Sequence, residues 1–130
     1  MQEVYDFLKA AETYFLATVD GDQPHVRPFG TYVIFEDRLY IQTGKIKDVS
    51  KQISANPKIG ICALKDDKWL RITAEAVNDD RVEAKRYILD EYPQLKDRYS
   101  AEDGNTQVLY LKNATATFST FTGVIKVMEF

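Results

Sequence analysis

The sequence predicts a mainly β fold with helices: six to seven mostly antiparallel strands closing into a small barrel, with about three helices at its rim. Three observations carry this expectation. The stretch "WLRITAEAV" alternates apolar and polar residues at the period of a half-buried strand. The short turns "DGDQ", "EDR", "KDDK" and "TG" separate strand-like runs, and tight turns join antiparallel neighbours. Three other segments repeat apolar residues at helical spacing. A twisted antiparallel sheet of about six strands tends to close on itself, and helices inserted at its rim give an α+β or all-β-plus-helices layout. With 130 residues, the chain reads as one domain over positions 1–130 with room for a real core.

In chain order, Val4, Phe7, Leu8 and Ala11 fall at i, i+3, i+4 and i+7, one face of a first helix. "TYFLATV" follows as a strand and "DGDQ" as a hairpin turn. "PHVRPFGTYVIF" reads as one long strand with a Pro-Phe-Gly irregularity, and "EDR" turns it into the strand "LYIQT". After Gly44 a second helix sets Ile46, Val49 and Ile53 on one face, with Lys47 and Lys51 elsewhere on its surface. "ANP" stops that helix, because Pro57 cannot continue it. "KIGICAL" is a short buried strand, with Cys62 expected as a core thiol.

In "WLRITAEAV", Leu70, Ile72, Ala74 and Ala76 face one way, and Trp69, Arg71, Thr73 and Glu75 the other. "NDDRVEAKRYILDEY" is the third helix, and Asp80 with Glu83 resembles a capping box. "PQLKDRYSAEDGNT" is a loop region, and "QVLYLKNATATFSTF" and "GVIKVMEF" close the chain as two strands.

A formal net charge of −3 argues against a general nucleic-acid binder. One cysteine and one histidine exclude an intrachain disulfide and an all-N/S structural zinc site. "MQEVYDFLKAAE" lacks a basic start and a continuous apolar core, so it is not expected to be a secretory signal. No stretch reaches the length of a membrane span. The expected address is cytoplasmic, with neither nucleic acid nor membrane as partner.

The motif "PHVRPF" puts His25 and Arg27 on one strand face, and Pro28 suits an edge or interrupted strand. A cationic pair on one face fits an anionic ligand, or equally a solvated surface. Trp69 faces away from the apolar set, as an interface anchor or a ligand wall would.

Four stretches carry a resemblance: "YFLATVDGDQPHVRPF", "RLYIQTGKIKDVSKQISANPKIGIC", "WLRITAEAVNDDR" and "ATFSTFTG". In their order and spacing the chain resembles the pyridoxamine 5'-phosphate oxidase-like family of FMN-binding split barrels. More narrowly, it is similar to the small flavin-reductase and nitroimidazole-resistance (Nim) type branch. The resemblance implies a split β-barrel homodimer with FMN at each subunit interface.

It places Arg27 toward the FMN phosphate and Thr43 beside the flavin. His25, Val26 and Pro28 flank the first, and Gln42 the second. Trp69 becomes a wall of the site. The family's basic pair at the start of the second helix is replaced by Asp48 and Val49, so the neighbouring Lys47 is the expected substitute. FMN chemistry fits these residue types, since a phosphate needs cations and a flavin ring needs apolar walls.

The implied function is an oxidoreductase that takes electrons from a small-molecule donor to a small organic acceptor, nitroaromatics being one class the family reduces. A non-catalytic flavin carrier or sensor, or a relative binding haem or a deazaflavin, is the alternative. Pyridoxamine phosphate oxidation itself is not expected, because the chain stops at "IKVMEF" without the Arg-containing segment of the true oxidases.

Overall fold

The computed structural model describes residues 1–130. Eight strands form one antiparallel sheet whose hydrogen-bonded path runs β2-β1-β5-β6-β7-β4-β3, with β8 added on β7. The strands are β1 (Tyr14–Asp20), β2 (Gln23–Phe29), β3 (Val33–Phe35), β4 (Arg38–Gly44), β5 (Lys58–Lys65), β6 (Lys68–Asp79), β7 (Thr106–Thr120) and β8 (Gly123–Glu129). The helices are α1 (Gln2–Ala11), α2 (Asp48–Ala55) and α3 (Val82–Glu91). No helix is long and apolar enough to cross a membrane.

The two-residue period of a strand builds both surfaces of this sheet. Leu16, Ile61, Ile72, Ala116 and Met128 lie directly opposite one another across β1, β5, β6, β7 and β8. The first four are buried, and α1 covers this side with Val4 and Leu8. One residue out of phase, Pro28, Phe15, Cys62, Arg71, Thr117 and Val127 form a second row across six strands. That row faces outward.

Short turns fix the register. Glu36 and Asp37 both have positive φ, 51° and 60°, as the two-residue turn between β3 and β4 requires. Gly21, at φ 61°, serves the β1–β2 turn, where a glycine enters that region without strain.

The path is open, and side chains rather than a ladder link β1 to β4 near its two ends. The Tyr14 hydroxyl on β1 donates to the Thr31 carbonyl at 2.6 Å. The Gln42 N–H on β4 donates to Thr31 Oγ1 at 3.0 Å. The segment between β2 and β3 therefore stitches β1 to β4. Tyr92 adds to the same seam, accepting from the Tyr32 N–H at 2.8 Å and donating to the Tyr32 carbonyl at 2.9 Å. This is why "PHVRPFGTYVIF" is two strands and the sheet has eight: Thr31 and Tyr32 spend backbone groups on side chains.

Three other expectations are corrected. Ile46 is 76% exposed and precedes α2, while Val49 and Ile53 are buried. Asn105 holds residues 45 and 46 off the helix, accepting from Lys45 N–H at 2.7 Å and from Ile46 N–H at 3.1 Å. The Asp80–Glu83 capping box does not form. β6 runs on to Asp79, Arg81 becomes the N-cap, and Asp80 pairs with Lys45 and Lys85. Cys62 is exposed, because it alternates with buried Ile61 and Ala63.

Candidate functional site

β2 divides the opening motif between two faces. His25 and Arg27 are half-buried, while Val26 and Pro28 alternate onto the exposed side. Register sets His25 opposite Thr18 and Arg27 opposite Leu16. α2 packs against this lip, so Arg27 meets a helix residue, Gln52, as well as its neighbours on β1.

The guanidinium makes three hydrogen bonds, all to uncharged acceptors. Its Nη1 donates to the Leu16 carbonyl at 3.2 Å and to Thr18 Oγ1 at 2.8 Å. Its Nη2 donates to Gln52 Oε1 at 2.8 Å. Thr18, only 1% exposed, donates its own hydroxyl to the same Gln52 oxygen. Partial burial pulls the Arg27 pKa below its ordinary range, while the nearby Asp48 carboxylate acts in the opposite sense.

A cleft of about 630 Å³ opens between the β1–β2 hairpin and α2, within the roughly 300–1,000 Å³ typical of small-molecule sites. Asp20 and His25 line one wall, and Asp48, Lys51, Gln52 and Asn56 the other. Asp48, Lys51, Gln52 and Ala55 recur at i, i+3, i+4 and i+7, one helical stripe. Val49 and Ile53 occupy the buried stripe beside it. Helical phase thus turns polar residues to the cleft and apolar ones to the core. Gln52 belongs both to the cleft wall and to the Arg27 cluster, which places Arg27 at the edge of the cleft.

The remaining candidates lie elsewhere. Lys47 is exposed, in extended backbone just ahead of α2, and it is Lys51 that lines the cleft. Gln42 and Thr43 are buried on β4, across the seam from Arg27. The Gln42 side chain donates to the Thr43 carbonyl at 3.0 Å, and Thr43 pairs with Gln107 of β7. Gln107 accepts from the Ser50 hydroxyl of α2 at 2.6 Å, so α2 is bonded to β7 as well as to Arg27 of β2.

Trp69 is half-buried on the outer face, with the Phe121 ring 5.2 Å away at 69°. Leu64 (62% exposed) lies opposite it on β5, and Phe15 (49%) and Val26 (67%) are exposed on the same face farther along β1 and β2.

Sequence reasoning missed Lys51 and Gln52 at the cleft and Thr18 in the Arg27 cluster. A signal existed for the helix pair: the polar stripe Asp48–Lys51/Gln52–Ala55 is as regular as the apolar one. Thr18 carries no such signal, since its partners come from other segments.

A model of the pyridoxamine 5'-phosphate oxidase family matches residues 1–119. Among solved structures, a NimC/NimA family protein from Clostridium acetobutylicum is 39% identical at a TM-score of 0.95, over 100% of this chain and 93% of that one. General stress protein 26 from Bacillus anthracis shares 16% identity at a TM-score of 0.76, over 99% and 97% of the two chains. A pyridoxamine 5'-phosphate oxidase-related, FMN-binding protein from Nostoc punctiforme shares 16% identity at a TM-score of 0.72, over 94% and 84%. The last two likenesses establish fold only. No curated protein sequence matches the chain.

Proposed function

Because the chain belongs to the pyridoxamine 5'-phosphate oxidase family, and is similar over its whole length to a NimC/NimA member, we propose that it binds FMN. We further propose that it passes electrons from a small-molecule donor to a small organic acceptor, with nitroaromatics as the class to try first. The observation that carries the reading is the state of Arg27: a held guanidinium whose three acceptors are all neutral, at the edge of a cleft with His25 and Lys51. Its charge is left for an anion, and arginine's planar fork suits a phosphate.

The residues present fit FMN. The phosphate would engage Arg27, with Lys51 adding positive charge from the α2 wall of the cleft and Lys47 from the approach to α2, and with His25 offering a ring nitrogen from the hairpin wall. To the flavin's polar edge, which needs hydrogen-bonding groups, we assign Thr43 and Gln42 of β4. FMN supplies the hydride and electron transfer itself; the chain binds, orients and shields it.

Val26, Pro28 and Trp69 belong to the outer face, whose exposed Phe15, Leu64, Phe121 and Val127 among polar residues invite a second copy of the chain. We therefore place a homodimer contact there, with Trp69 walling the partner's flavin.

Absorbance of the purified protein is the first test: flavin bands support the reading, and a haem Soret band would replace it. The wild-type chain should bind FMN more tightly than riboflavin, which has the same ring without a phosphate. Reduced holoprotein should then be reoxidised by nitroaromatic acceptors faster than by buffer alone. Flavin binding without such turnover would leave a carrier and remove the oxidoreductase half of the proposal.

A further inference from the structure

We infer that Thr18 and Gln52 are positioning residues for the phosphate-binding arginine; the inference rests on the FMN reading above. A guanidinium carries five N–H donors. Three are spent: both on Nη1, to Leu16 O and Thr18 Oγ1, and one on Nη2, to Gln52 Oε1. The Thr18 hydroxyl donates to Gln52 Oε1, so these two acceptors stand next to each other. They therefore lie along the edge between Nη1 and Nη2. What remains is the other edge, Nε–H and the second Nη2–H. Those two parallel donors are the pair that engages an oxyanion in bidentate fashion.

The clamp has consequences for binding. Gln52 sits on α2 and Thr18 on β1, so the guanidinium is fixed by two elements that also frame the cleft. Thr18 is buried, which keeps water from competing for its hydroxyl. An arginine already immobilised loses less rotamer freedom when the phosphate arrives. The clamp also uses only neutral acceptors. A carboxylate at position 52 would hold the guanidinium as firmly but cancel the charge the phosphate needs. Thr18 and Gln52 thus orient the arginine without consuming its charge.

The test measures FMN and riboflavin affinities for the full chain stripped of flavin, and reads their ratio. Thr18→Val removes the hydroxyl and keeps the shape; it should weaken FMN about 2- to 13-fold, the range for one lost hydrogen bond, and leave riboflavin unchanged. Thr18→Ser should restore the wild-type ratio. Gln52→Leu should act like Thr18→Val, and carries the test alone if the buried Thr18 variant does not fold. In an Arg27→Ala background, Thr18→Val should have no further effect on the ratio, because the residue it positions is gone.

Equal losses for both flavins would reduce Thr18 and Gln52 to packing residues and overturn the inference. So would an unchanged ratio in both single variants while Arg27→Ala collapses it; the FMN reading would then survive without the clamp. If Arg27→Ala itself leaves the ratio unchanged, the placement of the phosphate fails, and the clamp fails with it.

Discussion

Arg27, within β2, and Arg81, at the N-cap of α3, are both held by several hydrogen bonds, yet the groups that hold them differ in charge. Arg81 lies between two carboxylates. Its Nε reaches Asp79 Oδ1 at 3.0 Å, and its Nη2 reaches Asp79 Oδ2 at 2.9 Å and Glu36 Oε2 at 2.7 Å. Asp79, 8% exposed, also accepts from the Tyr40 hydroxyl at 2.8 Å. These bonds, from Arg81 first and Tyr40 after it, bring the Asp79 pKa down to about 2 against the opposing effect of burial. Glu36 is lowered too, chiefly by its hydrogen bond from Arg81. That cation is neutralised in place, and its work is to join the β3–β4 turn to the end of β6. Arg27 has no carboxylate hydrogen-bonded to it; its acceptors are a carbonyl, a hydroxyl and an amide. The residue name alone does not separate the two. The charge of the acceptors does: one arginine is paired with carboxylates inside the fold, and the other meets only neutral acceptors, which is what the proposed anion site needs.

The largest effect should come from removing the platform that presents Arg27's partner. Ile53, 4% exposed on the buried stripe of α2, should cost about 2–5 kcal/mol when cut to alanine. A reversible denaturant melt measures this, and a loss below about 0.5 kcal/mol would mean that α2 is not anchored as described.

The second variant addresses the neutralised side. Asp79 has a depressed pKa, so its stabilising contribution is complete above its ordinary pKa of 3.8 and fades as pH falls toward about 2. The shift corresponds to about 2 kcal/mol near neutral pH. Asp79→Asn should lose that amount and flatten the acid limb of the stability profile. It should not abolish the limb, because Asp103 is also lowered to about 2 by N–H groups of Thr106, Ser100 and Asn105 that outweigh its burial. An unchanged acid limb would detach Asp79 from the stability of the fold.

Smaller effects sharpen the Arg27 side. Lys51→Ala removes an exposed cation from the cleft wall and should weaken FMN by about 1 kcal/mol or less, with riboflavin unaffected. Ile46→Ala should change stability by less than about 0.5 kcal/mol, because that side chain is 76% exposed. A larger change would mean that Ile46 is covered in solution.

These contrasts also show which parts of the molecule a sequence can display. The alternation in "WLRITAEAV" survives intact as a buried row and an outer row, because strand period is a local property. α1 is equally plain, with Val4 and Leu8 buried and Phe7 packed beside them. Cys62 was hidden by an apolar run in which outward residues are as hydrophobic as inward ones; "IGICAL" alternates in burial without alternating in polarity. Ile46 fits the apolar spacing of α2, but Asn105, nearly sixty positions later, draws the preceding loop off the helix. At the candidate site, His25 and Arg27 were legible as a pair on one face. The Thr18–Gln52 clamp was not, because it joins β1, β2 and α2 through side chains that meet only in three dimensions.

The central claim is that Arg27 keeps its charge for a phosphate while Arg81 spends its own on the fold. Arg27→Ala and Arg81→Ala, each titrated with FMN and riboflavin and each melted without flavin, test it directly. Arg27→Ala should weaken FMN about 10- to 150-fold, the worth of a charge-assisted hydrogen bond, leave riboflavin unchanged, and melt near the wild type. Arg81→Ala should lower the melting temperature and leave the FMN-to-riboflavin ratio at its wild-type value. The account is contradicted if the folded Arg27→Ala chain binds both flavins as the wild type does, or if Arg81→Ala shifts the ratio as far as Arg27→Ala.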